Sequence, residues 1–233
     1  MATHKDFVIK KEENKNMETR IRVIGTFNPN KFRVAIFGSS RIKKNDPIYK
    51  QIYKLAETLG KNGIDIITGG GPGLMEAASS GHKIGSKKTK ALSIGLGIKL
   101  PKEQKFNKNV DYKETFMRFT SRLDKFMLFS NAVVVAPGGV GTMLEFFYTW
   151  QLVQVKHVCN IPIIFLGDMW RGLLHWLKEN PLKKRYFEVN DYKLLFAAKD
   201  YKDAMKIIEK SYDTFKKGGK DFCLNYDEYK VRL

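Results

Sequence analysis

From residue 32 onward the chain alternates short unbroken apolar runs with longer stretches in which apolar residues recur at helical spacing. Arg33–Phe37 reads as a strand that runs into Gly38-Ser39-Ser40. Over residues 47–62, Ile48, Ile52, Leu55 and Leu59 fall on one helical face, and Gly63 closes the segment. A second strand is expected over 64–68, then the turn Gly69-Gly70-Gly71-Pro72-Gly73, a helix over 74–82 and a strand over 91–96. Residues 97–117 break the rhythm as an excursion with a short strand near Tyr112. The alternation then resumes with a helix over 118–129, a strand over 132–136, a helix over 142–155, a strand over 163–166 and helices over 169–179 and 201–216.

Parallel strands need a crossover helix between them, and each crossover is right-handed, so this order predicts a parallel sheet covered on both faces. The expected fold class is α/β: a single-domain, Rossmann-like doubly wound sheet. Its span is residues 32–216, preceded by an extension over 1–31 with a candidate strand at 21–24 and followed by a tail over 217–233. Ligands of such folds bind beyond the carboxyl ends of the strands, where strand order reverses. Three polar or glycine-rich strand ends are expected to meet there: Gly38 to Ser40, Gly69 to Gly73, and Pro137 to Thr142.

Composition narrows the class. A chain of 233 residues with 43% apolar residues suits one such domain, and no apolar stretch is long enough to cross a bilayer. The polar, lysine-rich start over residues 1–16 lacks a signal-peptide core, which reads as a soluble, cytoplasmic protein with no membrane partner. Cys159 and Cys223 stand far apart, and the four histidines show no paired-ligand spacing, so neither a disulfide framework nor a metal site is expected. The net charge of +18 favours anionic partners. The lysines are scattered as solvated surface rather than gathered into a basic arm, and no groove-reading or base-stacking motif accompanies them. Specific nucleic-acid binding therefore ranks as a third reading.

The segment richest in chemistry is Ala132 to Glu145: an apolar strand, the turn Pro137-Gly138-Gly139-Val140-Gly141, then Thr142 and Glu145 one helical turn apart. Backbone N–H groups of such a turn, with the helix dipole behind them, make a seat for a phosphate. The glycine runs match neither the dinucleotide fingerprint nor the Walker pattern, which demotes NAD and ATP-driven chemistry. Thr142 and Glu145 carry two readings: a capping box that satisfies backbone donors, or a binding hydroxyl and a catalytic carboxylate. Arg118, Arg122 and Lys125 share one side of the preceding helix, and Arg122 is the choice for a phosphate-gripping guanidinium. Met75 and Glu76 would line the second wall, although a first-turn glutamate also serves the helix dipole.

These residues resemble the LOG family, the cytokinin riboside 5′-monophosphate phosphoribohydrolases often mislabelled lysine decarboxylases. Pro137 to Glu145 matches its P-G-G-x-G-T-x-x-E signature, and Gly38 to Arg41, Thr68 to Glu76 and Ser93 to Ile98 are similar to its other segments. The resemblance implies hydrolysis of the N-glycosidic bond of an AMP-like or cytokinin nucleoside 5′-monophosphate, by a homodimer or higher assembly, without pyridoxal phosphate, NAD or metal. It implies Glu145 and Arg122 as catalytic residues. Gly138, Gly139, Gly141 and Thr142 would form the phosphate loop, with Gly38, Ser39, Ser40, Gly70, Gly71, Met75, Glu76 and Lys125 around the substrate. The chain departs from the family at Leu123, where a lysine is common, and Lys125 is the expected substitute. That departure keeps open a second reading, a non-catalytic carrier of nucleotides or of a molybdopterin-type group.

Overall fold

The computed structural model describes residues 31–100, 105–158 and 160–217. The candidate strand at 21–24, both cysteines and nearly all of the tail lie outside the described residues. The elements, in chain order, are β1 Arg33–Phe37, α1 Pro47–Lys61, β2 Asp65–Thr68, α2 Leu74–Gly85, β3 Ser93–Ile98, β4 Tyr112–Phe116, α3 Phe119–Phe129 and β5 Ala132–Val135. They continue with α4 Val140–Gln154, β6 Ile163–Leu166, α5 Arg171–Leu177, α6 Val189–Tyr192, β7 Leu195–Ala198 and α7 Tyr201–Lys216.

Among the described residues one seven-stranded sheet runs in the order β4-β3-β2-β1-β5-β6-β7, with every neighbouring pair parallel. The doubly wound α/β class is therefore the observed one. Winding proceeds outward from β1 to β4 in one direction and from β5 to β7 in the other, so the reversal lies between β1 and β5. Side chains alternate across each strand, which divides the core into two layers. Val34 and Ile36 of β1 join Ile52, Leu55, Leu59, Leu74, Ile207 and Ile208 beneath α1, α2 and α7. Ala35 and Phe37 face the other way, onto Phe126, Phe146, Trp150, Trp170 and Leu174 beneath α3, α4 and α5.

Local chemistry accounts for the helix bounds. Asp46 caps α1 by accepting from the Ile48 amide at 2.9 Å, with Pro47 pre-set in the first turn. Helices α1 and α2 approach backbone to backbone, because a Cβ at Gly81 or Gly85 would overlap the carbonyls of Tyr53 and Glu57. Tyr148 of α4 donates to Asp124 of α3, joining the two helices that follow the excursion.

The structure departs most from the expected elements in three places. Helix α4 starts at Val140 rather than 142, with an extended Gly139 as its N-cap. The tract near Tyr112 is a full edge strand, β4, registered along β3 from Ile94 to Ile98. The pair α6 and β7 was not anticipated; Leu195–Ala198 is short and has no glycine or proline boundary, yet it pairs along β6.

Candidate active site

The site lies at the carboxyl ends of β1, β2, β3 and β5. Strand β5 is wholly buried and leads through Ala136 and Pro137 into the glycine turn. At Gly138 a Cβ would overlap the Thr142 side chain, so only glycine lets that threonine fold back over the turn. At Gly139 and Gly141 a Cβ would meet nothing within 4 Å. The turn is thus packed on one side and open on the other.

No side chain caps α4, and its first closing backbone bond runs from the Met143 amide to the Gly139 carbonyl. The amides ahead of it are the unsatisfied donors that every helix start presents, here beside an open glycine face. Because α4 begins at Val140, Thr142 sits inside the first turn rather than at the cap. The Glu145 carboxylate turns to Arg122 instead of to backbone amides. Of the two readings of Thr142 and Glu145, the capping box is not what forms.

Arg122 Nη2 lies 2.9 Å from Glu145 Oε1, and both side chains are about a tenth exposed, so solvent screens the pair little. Arg122 Nε donates to the Leu96 carbonyl of β3 at 2.7 Å. Its guanidinium carbon stands 5.0 Å from the Phe126 ring centroid. A Cβ on Gly69 would come within 2.8 Å of both Arg122 Nη2 and Met75 Sδ, so the guanidinium and Met75 converge on the triple-glycine turn. Burial raises the Glu145 carboxyl above the ordinary range, and the charge and hydrogen bond of Arg122 oppose that rise.

Ser39 stitches the strand ends together. Its amide donates to the Pro137 carbonyl and its carbonyl accepts from the Leu74 amide, each at 3.0 Å. A Cβ at Gly38 would come within 2.9 Å of Leu74, and Ser40 is exposed beside Gly73. The carbonyls of Gly70 and Gly71 are both held by Asn107.

Two of the expected site residues point to other partners. Lys125 pairs with Glu114 of β4 at 3.8 Å and lies over the Phe129 ring, apart from Glu145. Glu76 pairs with Lys44 at 3.2 Å. Leu123 is buried, 3% exposed. The residues that sequence reasoning missed are Phe106 and Asn107, in the excursion, and the Leu96 carbonyl. An asparagine in a lysine-rich stretch carries no periodic signal, and a carbonyl carries none at all. Among the described residues no group of three His, Cys, Asp or Glu gathers to hold a metal, and no helix is long and apolar enough to cross a membrane.

A family model described as possible lysine decarboxylase matches residues 75–208. A pyrimidine/purine nucleotide 5′-monophosphate nucleosidase from Escherichia coli (strain K12) is 25% identical over 193 residues, 76% of this chain and 42% of the relative. The chain thus spans under half the length of the curated relatives it matches. Among solved structures, the molybdenum cofactor binding protein of Rippkaea orientalis superposes with a TM-score of 0.56 at 21% identity, covering 78% of this chain and 98% of that one. The molybdenum cofactor carrier protein of Chlamydomonas reinhardtii gives 0.54 at 18% identity, covering 77% and 96%. These likenesses show the shared fold.

Proposed function

We propose, from the premise that the chain belongs to the family described as possible lysine decarboxylase, the LOG family its glycine signature resembles, that it is a nucleotide-processing hydrolase. Its reaction is cleavage of the N-glycosidic bond of nucleoside 5′-monophosphates, AMP-like or cytokinin riboside monophosphates, to free base and ribose 5-phosphate. The observation that carries this reading is the enclosed Arg122–Glu145 pair, 2.9 Å apart, one turn beyond an uncapped helix start. The nucleosidase from E. coli supports the same substrate class.

In this reading the turn amides, Gly138, Gly139, Gly141 and Thr142 hold the 5′-phosphate, with Gly38, Ser39, Ser40, Gly70, Gly71 and Met75 shaping the crevice. Breaking the ribose–base bond builds positive charge at C1′, which a carboxylate stabilises. Glu145 faces that carbon and takes a proton from water as the water oxygen bonds to C1′. The base leaves with the electron pair of the broken bond and collects a proton. Arg122 favours the ionised form of Glu145 against the opposing effect of burial and grips phosphate or ribose. In this reading the enzyme acts in the cytoplasm as a homodimer or higher homo-oligomer, without a cofactor.

Chromatography of free base after incubation with a panel of nucleoside 5′-monophosphates tests this. Glu145→Gln and Arg122→Ala should each lose on the order of 10²–10³ in rate, and adenosine should be far poorer than AMP. Wild-type protein that binds AMP and releases no base would instead support the carrier reading, the one its fold shares with the molybdenum cofactor proteins.

A further inference from the structure

The excursion between β3 and β4 has no part in the reaction above, yet it grips the backbone on which Arg122 rests. Asn107 spends its whole side-chain bonding capacity there: Nδ2 donates to the carbonyls of Gly70 at 3.0 Å and Gly71 at 2.9 Å. Its Oδ1 accepts from the Ser79 hydroxyl at 2.7 Å and the Asn109 amide at 3.1 Å. The Asn107 amide also donates to the Gly70 carbonyl at 2.8 Å. One residue therefore ties the glycine turn to α2 and to the excursion itself.

Phe106 completes the grip. Its ring lies on a floor of three glycines: a Cβ at Gly70 would overlap it, and at Gly97 and Gly95 would come within 2.7 and 3.0 Å. Arg122 leans on the same two stretches of backbone. Its Nε is held by Leu96, between Gly95 and Gly97, and its Nη2 abuts Gly69, next to Gly70.

We propose that Phe106 and Asn107 are positioning residues that fix the Gly69–Gly71 turn and the end of β3, and through them set the Arg122 guanidinium against Glu145. This rests on the reading of Arg122 and Glu145 as the working pair. Packing transmits displacement because protein interiors are close-packed and yield little. Among the described residues the charged group that faces the Glu145 carboxylate is Arg122, so loosening that guanidinium registers directly in the titration of Glu145.

The test uses the full chain with Asn107→Ala, Phe106→Ala and the ring-retaining Phe106→Tyr. The Glu145 carboxyl is titrated by carbon NMR without ligand, and kcat and KM for AMP are measured in parallel. Asn107→Ala and Phe106→Ala should move the Glu145 midpoint upward and lower kcat on the order of tenfold to a hundredfold, with KM changed less than about twofold. Phe106→Tyr should restore both. Folded variants whose midpoint and kcat match wild type overturn the proposal, as does a loss of thermal stability alone. Should Asn107→Ala fail to fold, the Phe106 pair decides the matter. If the wild-type protein releases no base, the nucleosidase reading fails by itself and the ligand-free titration still judges the latch.

Discussion

In the proposed reaction Glu145 must be ionised to stabilise a cation or accept a proton, and burial holds its carboxyl above the ordinary range while Arg122 opposes the rise. The sign follows. As pH falls through that raised value the carboxylate takes a proton and the rate drops, so the acid limb of the kcat profile should lie above the ordinary glutamate range. A limb at the usual value would mean that burial does not govern this group. In sequence the carboxylate and the arginine were legible, but not which reading of Thr142 and Glu145 holds, because the two satisfy the capping pattern equally well. What separates the readings is the start of α4 at Val140, and that depends on an extended Gly139 rather than on any side chain. Lys125 illustrates the reverse: helical spacing put it beside Arg122, yet Glu114 on a neighbouring strand claims its ammonium.

Among the elements, the helix pair α1 and α2 is the most exacting. Their glycines allow carbonyls and Cα atoms to touch, and an added methyl has nowhere to go. Gly81→Ala should cost about 1–3 kcal/mol, read as a fall in Tm of roughly 2–4 °C per kcal/mol. Base release per folded molecule should stay unchanged. The strands β1, β2, β3, β5 and β6 and most helices could be placed from period alone, since buried parallel strands are short apolar runs bounded by glycine or polar turns. Strand β7 could not, because its pairing with β6 owes more to the adjacent sheet than to its own four residues. The excursion resisted for a related reason: Phe106 and Asn107 act on glycines far away in sequence, and no local pattern records such a grip.

At the scale of the whole molecule, α4 turns Leu144 and Phe147 outward, 43% and 40% exposed, Val155 just past its end is 58% exposed, and Leu128 of the adjoining α3 is 57% exposed. Exposed apolar side chains on adjoining helices are what the proposed homo-oligomer would bury. A second copy of the chain is the expected occupant. Light scattering should give about twice the 26.8 kDa chain mass, and Phe147→Glu or Leu128→Glu should return the monomer. A monomeric wild type would refute the assignment.

The order of the strands bears also on how the protein is made. β1 pairs with β2 early, but its other neighbour, β5, lies beyond the excursion and α3. During synthesis the flank of β1 stays bare until β5 leaves the ribosome, an open apolar edge of the kind that invites wrong partners. The crevice, bordered by both strands, consequently cannot assemble until the growing chain has passed β5 and α4.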